Sequence, residues 1–162
     1  MEKADQIKSV MFVCHGNICR SPMAEMISRD LCEKRGITGL VFASSATSSE
    51  EIRNGVGNPV YPPARTELLR HGIDPAGKRA VQLTAADYAR YDLFVGMDSA
   101  NIRNMLHLFN GDPQSKVRKL MEYTSHGGDV SDPWYTDRFD VAFANIFEGC
   151  EALLDAILTL KN

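Results

Sequence analysis

The chain has 162 residues, enough for one domain with its own hydrophobic core. Its hydrophobic fraction of 44% and charged fraction of 24% are ordinary for a globular protein. The 18 basic and 21 acidic residues give a net charge of −3, which argues against a nucleic acid or a membrane surface as partner. No apolar run approaches the roughly 20 residues of a membrane-spanning helix, and residues 1–6 are too charged for a signal peptide.

The four cysteines are Cys14, Cys19, Cys32 and Cys150, and their spacing matches neither a metal site nor a small disulfide scaffold. We therefore expect no metal and no other cofactor. A cysteine that works as a thiolate needs a reducing compartment, so we expect a cytoplasmic protein.

The first half of the chain begins with a strand and a helix. Residues 7–13 are predicted to form a strand, because residues 10–13 are continuously apolar, as buried parallel strands are. A helical pattern opens at Pro22, where the missing N–H is not needed, and Gly36 ends it. A short second strand at 40–43 runs into the hydroxyl-rich stretch 44–49, which is typical of a loop.

The second half continues the alternation of elements. Residues 54–63 hold two glycines and three prolines and are predicted to form a loop. Thr84 and Asp98 are placed to cap helices, and we assign Asp98 no chemistry. The other predicted elements are helices at 64–71, 99–109 and from about 137, strands at 91–97 and 117–120, and a polar loop at 122–132.

Strands that alternate with helices favour a parallel sheet covered on both sides. We predict a single α/β domain over residues 1–162. Its four-stranded parallel sheet would be flanked by helices on both faces, with a phosphate-binding loop after the first strand. Ligands of such sheets bind at the carboxyl ends of the strands.

Residues 14–20, here called the phosphate loop, join the first strand to the first helix. Cys14 is followed six positions later by Arg20, whose planar guanidinium can hold two oxygens at once. Gly16 and Asn17 allow backbone conformations that turn successive N–H groups inward, and the helix start adds to this anion site. The same field favours the thiolate of Cys14, and Ser21 is placed to donate to its sulfur.

This loop resembles that of the low-molecular-weight protein tyrosine phosphatases, in which Cys, five residues and Arg precede Ser or Thr. The match continues through Met23, Ala24 and Glu25. The resemblance implies a phosphoric monoester hydrolase that cleaves phosphotyrosine and aryl phosphates through a phosphocysteine on Cys14. It also implies that the phosphate is held by the loop residues His15, Gly16, Asn17, Ile18, Cys19 and Arg20.

A second match is the sequence Ser-Asp-Pro-Trp-Tyr at 131–135. A carboxylic acid can protonate the leaving group and then accept a proton from the hydrolytic water. The family places this acid before Pro and two aromatic residues, so the resemblance implies that Asp132 is the general acid and then the base. Without the family, Asp-Pro is a common turn opener. Asp129 and Asp137 are rivals by position alone.

Trp134 and Tyr135 are expected to form walls for a flat substrate ring. A slot deep enough for phenyl phosphate, and too deep for phosphoserine, would explain specificity for tyrosine. The alternative is that both rings pack in the core. Relatives often have an apolar residue at His15 and a Trp near Glu50, so these two residues, as pocket walls, are expected to change the peptide preference.

The side chains expected to support the loop are those of Asn17, Ser21 and Ser44. The family places a serine beside the loop, and Ser44 is at the matching position. A histidine near 77–79 often braces the loop asparagine in relatives, and this chain has none there. We therefore expect Asn17 to be held by Ser44 and Ser21 alone.

Three alternative functions fit the sequence less well than a tyrosine phosphatase does. A thiol-linked arsenate reductase needs two further cysteines, and residues 82–90 contain none. Protein-arginine phosphatases have a threonine in place of the loop isoleucine, so Ile18 favours tyrosine. A phosphate-binding or redox module without catalysis is disfavoured because Cys14, Arg20 and Asp132 are all present.

Cys19 lies five residues after Cys14 across the curled loop. We expect hydrogen peroxide to drive a reversible Cys14–Cys19 disulfide that shields Cys14 from further oxidation. The alternative is that Cys19 only packs beneath the loop. The expected partners are a phosphotyrosine-containing protein as substrate and inorganic phosphate as product, with a monomer as the working unit.

Overall fold

The computed structural model describes residues 7–161. The expectation for residues 1–6, that they are no signal peptide, lies outside the described residues.

A four-stranded sheet forms the centre of the domain. Its strands are β1 (Ser9–Cys14), β2 (Val41–Ala46), β5 (Leu93–Gly96) and β6 (Val117–Lys119), and a separate hairpin holds β3 (Ile52–Arg53) and β4 (Val56–Gly57). The strand order is β2-β1-β5-β6, and every neighbouring pair is parallel. The prediction of a four-stranded parallel sheet is confirmed.

Five helices surround the sheet. They are α1 (Arg20–Arg35), α2 (Pro62–Arg70), α3 (Ser99–Leu108), α4 (Pro133–Thr136) and α5 (Phe139–Lys161). Two single-turn 3₁₀ helices lie at Ala85–Ala89 and Leu120–Tyr123. Most of the predicted helices therefore exist, and the short helix α4 is an addition.

Strand β1 shows why both faces of the sheet are covered. Successive side chains of a strand point to opposite faces. Val10 and Phe12 belong to the large apolar cluster that includes α1 and α5, whereas Met11 and Val13 belong to a smaller cluster with Met105 of α3. All four are buried, which explains why residues 10–13 are continuously apolar.

The topology brings two chain segments to one crevice. β2 lies on one side of β1 and β5 on the other, so the direction of winding reverses at β1. Ligands of open α/β sheets bind at the carboxyl ends of the strands at this reversal. Cys14 is the last residue of β1, and Asp98 follows β5 by two residues.

Several boundaries differ from the prediction, and three of these differences lie near the phosphate loop or in the predicted loop 54–63. β2 runs on through Ser44 to Ala46, because pairing with β1 places Ser44 opposite Phe12 and overrides the low strand propensity of serine. The predicted loop 54–63 contains β4 and the hairpin turn, where Asn54 and Gly55 have φ of 52° and 76°, as in a type I′ turn. Helix α1 begins at Arg20, two residues before Pro22.

Candidate active site

Cys14 lies at the floor of a cleft and its sulfur is surrounded by donors. The Sγ atom accepts hydrogen bonds from the N–H groups of Asn17 (3.3 Å) and Ser21 (3.4 Å) and lies 3.0 Å from Ser21 Oγ. The Oγ of Ser21 already accepts a hydrogen bond from Asn17 Nδ2 at 2.8 Å, so its own proton is directed to the sulfur. Hydrogen bonds of this kind favour a negatively charged sulfur.

Asn17 gives the phosphate loop its shape. Its φ of 58° is in the left-handed region, which asparagine tolerates better than most residues. Its Nδ2 donates to Ser21 Oγ and Ser44 Oγ (2.9 Å), and its Oδ1 accepts from the N–H of Val81 (3.0 Å). The expectation that Ser21 and Ser44 alone hold Asn17 is therefore wrong.

Gly16 does not share this left-handed conformation, since Asn17 carries the only positive φ of the phosphate loop. A Cβ at Gly16 would lie 3.2 Å from Cγ of Glu51. The side chain of Glu51 would have to shift by a few tenths of an ångström to admit it. Close packing under Glu51, and not a left-handed backbone, is therefore what the structure shows at Gly16, and the sequence-based expectation is corrected.

A buried ionic network supports the loop from behind. Ser44 Oγ donates to Glu25 Oε1 at 2.6 Å, and Glu25 also pairs with Arg29. Lys78 Nζ donates to the carbonyl of Ser44 (2.9 Å) and lies 3.6 Å from Glu25 Oε1. Burial lowers the pKa of Lys78, and the charge of Glu25 partly offsets this. Lys78 thus occupies the span in which relatives often carry a histidine, and the sequence reading missed it.

Arg20 is almost fully buried and joins the loop to two other segments. Its Nη1 lies 2.9 Å from Asp98 Oδ2 and donates to the carbonyl of Val130 at 3.0 Å, while Nη2 lies 3.5 Å from Asp132 Oδ2. Burial lowers the pKa of Arg20, but the charges of Cys14, Asp132 and Asp98 outweigh burial and raise it. The guanidinium therefore stays charged.

Asp98 has a second role that the sequence reading did not assign. Its Oδ1 accepts from the N–H of Asn101 at 2.9 Å and caps α3, as expected, but its Oδ2 pairs with Arg20. The cap alone is therefore an incomplete account. The signal that could have shown the pairing is topological, because Cys14 and Asp98 end neighbouring strands.

Asp132 is the N-cap of α4, where its Oδ1 accepts from the N–H of Trp134 at 3.1 Å. Its Oδ2 faces Arg20, and its side chain is partly exposed to the cleft. Asp129 instead pairs with Lys119 at 2.8 Å, and Asp137 forms the left-handed end of α4. Neither rival lines the cleft.

The cleft has a volume of about 490 Å³. It contains the predicted site residues Cys14, His15, Gly16, Asn17, Ile18, Cys19, Arg20, Glu50, Asp132, Trp134 and Tyr135. Trp134 is 55% exposed and Tyr135 is 84% exposed, so neither ring is packed in the core. Trp134 does contact Tyr61, with ring centroids 5.0 Å apart. Ser21 and Ser44 are buried behind the loop.

Cys19 is a buried thiol next to Cys14. Burial, followed by the charge of Cys14, raises the pKa of Cys19 to about 12. All four cysteines are free, and Cys150 is fully buried in the core. The Cys14–Cys19 disulfide stays a prediction.

Among residues 7–161, no helix has both the length and the apolar composition needed to cross a membrane. Within the same residues, no group of three or more His, Cys, Asp or Glu side chains is arranged to hold a metal ion.

A cysteine and an arginine on one loop, at the carboxyl end of a parallel sheet, define an α/β phosphatase site. Residues 9–161 match the family model of the low molecular weight phosphotyrosine protein phosphatases. The chain belongs to this family.

Individual relatives agree with the family match. The chain is 38% identical to the low molecular weight protein-tyrosine-phosphatase YfkJ of Bacillus subtilis, over 92% of this chain and 95% of YfkJ. It is 33% identical to PtpA of Staphylococcus haemolyticus, over 94% of this chain and 96% of PtpA. The crystal structure of YfkJ superposes with a TM-score of 0.90 at 35% identity, covering 96% of this chain and 98% of YfkJ.

Proposed function

We propose that this phosphatase hydrolyses phosphotyrosine through a phosphocysteine intermediate on Cys14, with Asp132 as general acid and then base. The observation that carries the proposal is the meeting of Cys14, Arg20 and Asp132 in one cleft. These residues come from β1, the start of α1 and the start of α4, so the fold assembles them from distant parts of the chain.

In the first step, the thiolate of Cys14 attacks phosphorus and the bond to the tyrosine oxygen breaks. Asp132 gives its proton to that leaving oxygen. Nη1 of Arg20 already donates to Asp98 and to the carbonyl of Val130. The three non-bridging oxygens are therefore held by Nε and Nη2 of Arg20 and by the N–H groups of the phosphate loop. Cys19, the N-cap of α1, makes no side-chain capping bond, so its side chain does not compete with phosphate for these N–H groups.

In the second step, a water molecule attacks the phosphocysteine. Asp132, now ionised, takes a proton from this water, and the phosphorus–sulfur bond breaks. Inorganic phosphate leaves, and Cys14 returns to the thiolate that Ser21 and Asn17 stabilise. The positive charge of Arg20 offsets the negative charge of ionised Asp132, because the two side chains face each other in the resting site.

The proposed substrate is a protein that carries phosphotyrosine. Cys14 is buried at the floor, whereas Trp134 and Tyr135 stand exposed at the mouth, so an aryl phosphate spans a distance that phosphoserine does not. Ile18 lines the same cleft, and its apolar side chain suits a phenyl ring. The proposed working unit is a monomer in the cytoplasm, a reducing compartment, with no cofactor, nucleic acid or membrane as partner.

The experiment measures hydrolysis of p-nitrophenyl phosphate in the presence of reductant and a metal chelator. We expect the wild type to be active, Cys14→Ser to be inactive, and Asp132→Asn to lose about 10²–10⁴-fold in kcat. Rapid denaturation in alkali during turnover should trap phosphate on Cys14. Activity that survives Cys14→Ser would contradict the phosphocysteine mechanism.

Peptides that carry phosphotyrosine, phosphoserine or phosphoarginine then test the substrate class. We expect turnover of the phosphotyrosine peptide only. Faster turnover of the phosphoarginine peptide would replace the tyrosine proposal by the arginine phosphatase reading.

We also propose that peroxide forms a Cys14–Cys19 disulfide. Peroxide would oxidise the Cys14 thiolate to a sulfenic acid, and the Cys19 thiol would then displace water from it. Burial is the main cause of the raised pKa of Cys19, and the charge of Cys14 is a second cause that oxidation of Cys14 removes. Mass spectrometry of peroxide-treated protein would contradict this proposal by finding only sulfinic acid at Cys14.

A further inference from the structure

The rim of the cleft carries negative charge that the proposed reaction does not use. Glu50 and Glu51 line the cleft together with Cys14 and Arg20. The Nε2 of His15 lies 2.9 Å from Glu50 Oε2, and both side chains are more than half exposed. Glu51 Oε1 accepts a hydrogen bond from the uncharged amide of Asn58 at 2.9 Å.

This rim is held in place by the phosphate loop itself. The N–H of Thr47 donates to the carbonyl of Cys14, and the N–H of Ser48 donates to the carbonyl of His15, each at 3.0 Å. Ser48 Oγ in turn accepts from the N–H of Glu50 at 3.0 Å. The backbone that carries the two glutamates is therefore held beside the phosphate loop before a substrate arrives, which lowers the cost of using them in recognition.

The acidic side chains at the floor of the cleft have a positively charged partner of a kind that the acidic side chains at the rim lack. At the floor, Asp98 and Asp132 face the guanidinium of Arg20. At the rim, the side chains of the two glutamates pair, among residues 7–161, with the imidazole of His15 and with a neutral amide. Phosphotyrosine brings a further charge of about −1.5 to −2, which the rim repels. A substrate relieves this repulsion when it carries its own cation beside the phosphotyrosine.

We propose that Glu50 and Glu51 select phosphotyrosine segments with a lysine or arginine within about two residues of the phosphotyrosine, a distance of roughly 7 Å along an extended chain. The inference rests on the proposed function and names its substrate class more closely. The basic side chain binds the Glu50 carboxylate and displaces or joins His15. Segments with flanking aspartate or glutamate are rejected by the same charges.

The test compares phosphotyrosine peptides that differ only in flanking residues, with Lys, Ala or Glu at the two positions on each side. At low salt we expect kcat/KM to favour the Lys peptide over the Glu peptide by about tenfold, and the ratio to shrink as salt is raised to about 0.5 M. Glu50→Gln should reduce the ratio to about threefold, and Glu50→Lys should bring it to about one or below.

Glu33→Gln is the matched control. It removes the same charge from the exposed side of α1 and should leave the peptide ratio unchanged. p-Nitrophenyl phosphate, which has no flanking residues, separates the inference from the proposed function. If wild type hydrolyses it but treats all peptides alike, or if the ratio survives in Glu50→Gln and Glu51→Gln, the inference is overturned. If wild type hydrolyses neither compound, the proposed function fails and the inference fails with it.

Discussion

The phosphate loop and the segment 131–137, here called the acid segment, meet in one cleft but are held in opposite ways. Asn17, Ser21 and Ser44 are almost fully buried and are joined to each other by hydrogen bonds of 2.8–2.9 Å. In the acid segment Trp134 and Tyr135 are exposed, and the side chain of Asp132 reaches the loop only through a contact of 3.5 Å with Arg20.

This difference separates the two chemical tasks. A nucleophile gains from a fixed position, because its rate depends on alignment with phosphorus. A proton donor at the mouth has to let the substrate enter and the product leave, and segments with few buried contacts open most easily. Substitutions in the loop should therefore affect both stability and activity, whereas substitutions in the acid segment should affect activity alone.

Among the substitutions that test this comparison, Arg20→Lys should have the largest effect, because Arg20 connects the two regions. A lysine keeps the charge but cannot contact Asp98, the carbonyl of Val130 and a phosphate together. We expect kcat/KM for p-nitrophenyl phosphate to fall by about 10²–10³-fold. Urea denaturation should show a loss of about 1–3 kcal/mol in the free energy of unfolding.

The control for this change is Arg35→Lys, at an exposed pair with Glu151 and Asp155. It should leave both measurements nearly unaltered. An Arg20→Lys protein with wild-type activity would show that the buried guanidinium is only structural.

Asn17→Ala tests the loop alone. It removes three hydrogen bonds and places alanine at a φ of 58°, so we expect a loss of about 2–4 kcal/mol in stability and about tenfold in kcat. Asn17→Gly is the matched variant, since it loses the same bonds without the backbone strain. Equal stability of the two variants would mean that the left-handed conformation contributes nothing.

Much of the fold could be predicted from the sequence, because its signals are local. The apolar run at 10–13 predicted β1, and a helical pattern from about residue 137 predicted α5. Strand pairing is not local, so the extension of β2 through Ser44 was missed. The Asn54-Gly55 hairpin turn has a recognised sequence signature, but the flanking glycines and prolines made a plain loop the simpler prediction.

The candidate site was likewise predictable where its residues lie in a local motif, and it was not predictable where its contacts join distant segments. The residues of the two motifs, from Cys14 to Ser21 and from Asp132 to Tyr135, do line or support one cleft as expected. The contacts of Lys78, Val81 and Asp98 with the loop depend on how distant segments pack, and no spacing in the sequence encodes them.

Trp134→Ala tests the acid segment with a smaller effect. The ring is half exposed at the mouth, so its removal should raise KM for aryl phosphates about fivefold through lost contact with the substrate ring. The thermal midpoint should stay within about 2 °C, because a surface contact with Tyr61 is the main loss. A large fall in the midpoint would place Trp134 with the fold rather than with the substrate.

The smallest expected effect concerns His126, an exposed residue in the part of the chain that leads into the acid segment. His126 Nε2 lies 2.9 Å from Glu148 on α5, and this hydrogen bond raises the pKa of His126. A raised folded-state pKa means that the pair stabilises the fold below the unfolded pKa of about 6.5 and that this contribution is lost as pH rises through the folded value. The thermal midpoint of wild type should therefore exceed that of His126→Gln at about pH 6 and equal it at about pH 8.5. Because about half of each side chain is exposed to solvent, raising the salt should shrink the difference, and no such change should occur in kcat for p-nitrophenyl phosphate. A pH-dependent fall in kcat in this variant would instead mean that the position of Asp132 depends on this distant pair, and the division between a fixed loop and an independent acid segment would fail.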